Sequence, residues 1–341
     1  MEKILYFTQR YRPHWEGTSK EIEVLLGKYS SQSLLNNLHF NAFTDISFSK
    51  KKWSYHFVFY PFLLPAIYLY SFNKIKHIYT HLTDLPYLPF LHHEKMILTS
   101  TNYFTRQEIK KKTKYLQCAA KIIVEAEIQR NELLACGIDN EKIRIISPSV
   151  DLDAFSYKKA SGEFKILNVS CPYKAQDLQK RGISLLFAVD SFLQNTEVTL
   201  SWRDYEKDLF ASFMPEKLRA TRIQKGMIPS MNEEYGKYHC TIIPYTCFDN
   251  RLKLIPNSIM ESLAAGKPVL VSSQTGIAPL IKKERCGVVF EPRVENLLKA
   301  IKELKKNYTF YQKKCRPTAE KYFSQQRFLD EYEEVYREVS A

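Results

Sequence analysis

Residues 249–281 read DNRLKLIPNSIMESLAAGKPVLVSSQTGIAPLI, and the fold class follows from how this stretch is punctuated. Ser258 and Glu261 have the S-x-x-E spacing of a capping box, Pro256 and Asn257 direct the chain into a short helix, and Gly266 can supply a left-handed C-terminal turn. After Lys267 and Pro268 the run VLVSS is apolar without alternation, the pattern of a strand buried on both faces of a parallel sheet. A helix that leads directly into such a strand is the repeating unit of open α/β sheets. Ligands bind there beyond the strand C-termini, and helix N-termini favour anions because their amides are unpaired.

The same alternation extends in both directions. Toward the N-terminus, strand-like runs occur at 3–8, 76–81, 96–101, 121–124 and 143–147, with helical segments at 19–29, 106–117 and 129–136. Gly17 sits just ahead of the first helix with Thr18 and Ser19 as caps, a setting for a tight turn or for close approach of a ligand phosphate to backbone amides. Residues 151–164 lack periodicity and read as a linker. Beyond it, strands are expected at 165–170, 198–202, 240–245 and 287–291, with a long loop up to Gly182 and helices near 182–193, 207–219, 232–237 and 294–307. Two Rossmann-like α/β domains result, 1–150 and 165–316. The last segment, from about 317 to 341, carries Tyr322, Phe323, Phe328, Leu329, Tyr332, Val335 and Tyr336 at helical spacing. It is expected to return as a helix and dock on the first domain.

The chain has 341 residues, 45% hydrophobic and 26% charged, as in an ordinary globular protein. Its net charge of +13 divides almost evenly, +7 over residues 1–150 and +6 over the rest, which argues against a nucleic-acid groove. The basic runs at 50–52 and 110–114 are solvated faces or attract phosphorylated ligands or an anionic membrane. Seven cysteines without paired spacing point to a reducing compartment and away from a zinc framework. The N-terminus lacks a signal-peptide core, so a cytoplasmic location is expected, peripheral on the membrane if the basic run beside the aromatic segment 56–70 binds lipid. That segment is too short to span and contains Pro61 and Pro65. His77 and His81 fall on one side of a strand without a nearby metal partner, and no metal is expected.

Two motifs carry a resemblance. AKIIVEAEIQRNELLACGIDNEKIRIISPSVDLDAF at 120–155 and IPNSIMESLAAGKPVLVSSQTGIAPLI at 255–281 resemble glycosyltransferase family 4, and with the two domains and the terminal helix the likeness covers nearly the whole chain. The resemblance implies the GT-B fold: two Rossmann-like domains facing across a cleft. It also implies a retaining, metal-independent hexosyltransferase that takes a UDP- or GDP-linked sugar on the second domain and a glycan, lipid-linked or polysaccharide-precursor acceptor on the first. By this correspondence Glu261 accepts hydrogen bonds from the ribose hydroxyls, with the capping box as its alternative role. Asn257, Ser258, Thr275, Gly276 and Ile228 lie on the donor side, as do Gly17 and Thr18. Arg181 stands at a basic position of the family, and Lys174 substitutes for the other.

The chain also departs from the family. Lys253 replaces a sugar-facing glutamate and could hold a phosphate or carboxylate instead. Thr101 or Asn102 stands where the family often has histidine, Pro279 where it has an acid, and Ser149 where it has glycine. Catalysis is therefore assigned to Arg181, Lys174, Lys253, Asn102 and Thr101, with His81 in the acceptor region. The alternatives are a GT-B scaffold that has lost turnover and serves as a partner subunit, or a sugar-nucleotide epimerase of the same fold.

Overall fold

The computed structural model describes residues 4–7, 17–29, 69, 72–79, 95–170, 172, 175–202, 215 and 217–341. Lys174, His81, the aromatic segment 56–68 and most of the expected helix at 207–219 lie outside them; residues 217–220 are not helical. The chain forms two compact units, one of residues 1–148 and 326–341 and the other of residues 149–325.

In the first unit, β1 (Ile4–Phe7), β2 (Ile75–Tyr79), β3 (Met96–Ser100), β4 (Lys121–Val124) and β5 (Ile143–Ile145) form a parallel sheet in the order β1-β2-β3-β4-β5. Strand alternation sends Leu5 and Phe7 into one core and Ile4 and Tyr6 into another. The first core contains Ile109 and Leu116 of α2 (Arg106–Cys118) and Leu133 of α3 (Glu127–Ala135). The opposite core is closed by α1 (Gly17–Tyr29) and the C-terminal helix. Helix α1 begins at Gly17, so Thr18 and Ser19, expected as caps, lie inside its first turn.

Thr105 caps α2 in a reciprocal box with Glu108. Ser258 and Glu261 have the same S/T-x-x-E spacing but do not form the box.

In the second unit, β6 (Phe164–Ser170), β7 (Thr196–Trp202), β8 (Thr221–Lys225), β9 (Cys240–Ile243), β10 (Val269–Ser272) and β11 (Gly287–Phe290) form a parallel sheet in the order β11-β10-β9-β6-β7-β8. The order reverses between β6 and β9, which makes their C-terminal ends the switch point. The expected loop before Gly182 contains a helix, α4 (Ala175–Lys180), followed by α5 (Ile183–Val189). At six residues α4 is too short to display periodicity, but Leu178 anchors it in the core. The remaining helices are α6 (Met231–Gly236), α7 (Asn257–Ala264), α8 (Ala278–Glu284), α9 (Val294–Lys306), α10 (Tyr308–Phe323) and α11 (Gln325–Ser340).

Pro317 does not begin the returning helix. It lies inside α10, whose Cys315, Ala319 and Phe323 are buried in the second unit. The chain breaks at extended Ser324, and Val150 N–H donates to Phe323 O at 2.9 Å. Helix α11 then places Phe328, Tyr332, Val335 and Tyr336 in the first unit's core. Among the described residues no helix is long and apolar enough to cross a membrane.

A buried polar network ties α11 to the first sheet. His77 Nδ1 lies 2.8 Å from Tyr336 Oη, His77 Nε2 lies 2.7 Å from Thr99 Oγ1, and Tyr6 Oη lies 3.0 Å from Tyr336 Oη. Burial lowers the His77 pKa to about 3, so the ring stays neutral, with one nitrogen donating and the other accepting. Below the unfolded pKa of about 6.5 the unfolded chain takes up a proton that the folded ring refuses, so stability falls as pH drops from there toward the folded value. Urea titrations of the full chain should show this loss at up to about 1.4 kcal/mol per pH unit, with His77→Gln removing that part of the slope. An unchanged slope in the variant would show that His77 does not titrate on unfolding.

Candidate donor site

The site is built at the ends of β6 and β9. Arg181 N–H donates to Asp177 O at 2.8 Å and Gly182 N–H to Gln179 O at 2.9 Å, which closes α4. Thr246, just beyond β9, donates from its N–H to Lys180 O at 3.0 Å and from Oγ1 to Gln179 O at 2.9 Å. Gly182 has φ +72°, and a Cβ there would lie 1.8 Å from Pro244 O. The contact requires glycine, and it sets Arg181 against the end of β9.

Charged pairs join the same two loops. Arg251 Nη1 lies 3.1 Å from Asp177 Oδ1, and Lys180 Nζ is bonded to Asp249 Oδ2. Burial pushes the Asp249 carboxyl up, but the Lys180 bond, the Arg251 N–H and both cationic charges outweigh it and hold the group below the ordinary carboxylate range.

Helix α7 begins at Asn257, with extended Pro256 as its cap and no side-chain capping bond. The expected capping box of Ser258 and Glu261 is absent, because the helix starts two residues early, with Pro256 as its cap, and Ser258 falls inside it. Glu261 is buried and accepts from Tyr235 Oη at 3.0 Å; the same hydroxyl lies 3.2 Å from Ser258 O. Burial, with the neighbouring Glu261 charge, raises the Tyr235 pKa well above its ordinary value and keeps the phenol a donor. One carboxylate oxygen is thus fixed from α6.

Lys253 Nζ donates to Asn257 Oδ1 at 3.0 Å at the mouth of α7. Tyr245 is buried at the end of β9, and burial raises its pKa against the opposing charges of Arg181 and Lys253, which therefore both lie near its ring. Arg181 Nε is buried without a hydrogen-bond partner among the described residues.

The other predicted residues are distributed as follows. Thr275 Oγ1 donates to Ser272 O at 2.9 Å, and Gly276 N–H donates to Leu254 O at 3.0 Å. Both therefore brace the loop, and the Gly276 amide is occupied. Ile228 is half-buried in the connection from β8 to α6. Gly17 and Thr18 at the start of α1, and Thr101 with its Oγ1 3.0 Å from Asn102 Oδ1, belong to the first unit. Among the described residues no three His, Cys, Asp or Glu side chains gather as a metal site. Sequence reasoning missed Tyr235, Tyr245 and the Arg251–Asp177 pair, whose partners come from other elements and leave no local signal.

The two parallel-sheet units define the class: the chain has the GT-B fold. Residues 206–307 match the glycosyl transferases group 1 family model. A glycosyltransferase from Rickettsia africae ESF-5 is similar in structure, with 17% identity, a TM-score of 0.71 and coverage of 98% of this chain and 97% of that one. Anabaena Alr3699/HepE in complex with UDP-glucose is similar at 12% identity and a TM-score of 0.74, over 99% and 100% of the two chains. The lipopolysaccharide outer core galactosyltransferase WaaB, in its apo form, is similar at 13% identity and 0.69, over 98% and 99%. No curated protein matches the chain by sequence.

Proposed function

We propose that this chain is a retaining, metal-independent hexosyltransferase that moves a sugar from a UDP- or GDP-linked donor to a hydroxyl of a glycan, lipid-linked or polysaccharide-precursor acceptor. The observation that carries the reading is Arg181 Nε, a buried guanidinium donor without a partner among the described residues at the switch point. An anion there completes it. Arg181, Lys253 and the α7 N-terminal amides offset the diphosphate charge, and Glu261 holds the ribose. Transfer breaks the anomeric C–O bond to the diphosphate and forms one to the acceptor oxygen, whose proton passes to the departing phosphate. Catalysis is then positioning and charge stabilisation. The acceptor is assigned to the first unit, with Thr101, Asn102 and His81 in its neighbourhood, and the enzyme to the cytoplasm, peripheral on an anionic membrane.

A second reading, a scaffold without turnover, is favoured by Lys253, a cation bonded to Asn257 where the resemblance implies a carboxylate. Calorimetry with UDP-, GDP- and ADP-sugars, followed by product analysis with and without acceptor, separates the readings. At least one donor is expected to bind and be turned over, with retained anomeric configuration and no loss in EDTA. Binding without turnover supports the scaffold; epimerised donor without acceptor supports epimerase chemistry; no binding removes the transferase and epimerase readings.

A further inference from the structure

Strand β11 is the edge of the second unit's sheet. Val269 N–H donates to Cys286 O at 3.3 Å and Ser273 N–H to Phe290 O at 2.8 Å. With Val269 in register with Gly287 and Val271 with Val289, this pairing turns the N–H and C=O of Gly287 and Val289 away from β10. These four backbone groups have no partner among the described residues.

A groove of about 520 Å³ runs along this edge. Phe310 and Tyr311 of α10 line it with rings 5.3 Å apart, and Phe310 is 47% exposed. Lys282 and Arg285, at the end of α8, flank the start of the strand, and Glu291 flanks its finish. Open sheet edges accept extended peptides by strand addition, in which main-chain bonds give affinity and flanking side chains give selectivity. Charges also guard edges against such pairing. Here, however, the cations stand at one end and leave the Val289 groups open beside aromatic rings.

The occupant follows from the charge order. An antiparallel peptide puts its C-terminal carboxylate against Arg285 and Lys282 and its amino end near Glu291, whereas a parallel one reverses both contacts. A second copy's β11 has the same charge order and would set its Glu291 beside Arg285 and Lys282 in an antiparallel pair, so the oligomeric state is measured alongside peptide binding. We propose that the β11 groove binds an extended peptide of another protein, antiparallel to β11, apolar in the middle and ending in an acidic residue beside Arg285 and Lys282. This surface is independent of the donor site.

Fluorescence anisotropy of the full chain with fluorescein-labelled KVVVD bearing a free carboxylate tests it. The expected Kd is about 10–100 μM, with about tenfold weaker binding for the amidated peptide and none for DVVVK-amide. Val289→Pro removes one outward N–H while sparing the bonds to β10, and should weaken binding at least about tenfold. Arg285→Asn, which suits the left-handed φ of +53° at this position, should cost a similar factor. No binding by the wild type, undiminished binding to a folded Val289→Pro chain, or indifference to amidation would each overturn the proposal. If Val289→Pro does not fold, Arg285→Asn and the amide decide. Sedimentation showing a dimer that Arg285→Asn dissociates would assign the edge to a second copy instead.

Discussion

Gly182→Ala is expected to destabilise the second unit by about 2–4 kcal/mol and to abolish measurable nucleotide binding. Two costs combine. An L-residue in the left-handed region costs about 1 kcal/mol, and a methyl forced against a backbone carbonyl adds about 1–3 kcal/mol because backbone cannot rotate aside. Gly182 has φ +72°, with Pro244 O 1.8 Å from the added carbon. Relief requires α4 and β9 to part, which moves Arg181 and Tyr245 together. Gly162→Ala is the matched control: its φ is +79°, but nothing lies within 4 Å of the added carbon, so only the conformational cost of about 1 kcal/mol applies. Chemical denaturation of both variants and UDP calorimetry check the claim. Equal losses in the two would show that the Pro244 contact yields freely.

Glu261→Gln is expected to weaken nucleoside diphosphate binding by about 10–100-fold, the range for losing a charge-assisted hydrogen bond worth about 1.5–3 kcal/mol. The amide keeps the shape and can still accept from Tyr235, so the helix should remain intact and thermal stability nearly unchanged. The decisive measurement pairs the variant with 2′,3′-dideoxy-UDP. If the carboxylate holds the ribose, deleting the hydroxyls weakens binding to the wild type and does nothing further in Glu261→Gln. Independent, additive losses would move Glu261 away from the ribose. Tyr235→Phe should cost less, about 1 kcal/mol, since it frees a carboxylate oxygen that a second hydroxyl can reach.

The legibility of this site divides by the distance over which its determinants act. The left-handed turn at Gly266, observed at φ +69°, and the doubly buried strand VLVS were readable because conformational preference and apolar run length are written into adjacent residues. The capping box was misread for an equally local reason. Ser258 and Glu261 have the right spacing, but Pro256 starts the helix first, and Glu261 turns instead to Tyr235, 26 residues away. Likewise Arg181 could be singled out as a basic position ahead of Gly182, yet the need for glycine there comes from the Pro244 carbonyl just beyond β9.

By itself the sequence determined most of the strands, the two α/β units and the returning α11, because each depends on periodicity and turn chemistry within one segment; the short helices α4 and α8 and the helix α10 were not legible in it. Tertiary structure alone decided which side chains meet. It bonded His77 to Tyr336 across 259 residues, placed the Lys253 ammonium against Asn257, and left Arg181 Nε buried and unpaired among the described residues. The physical reason is that a hydrogen bond or a desolvated charge is defined by its surroundings, and at a switch point those surroundings are assembled from strand ends far apart in the chain.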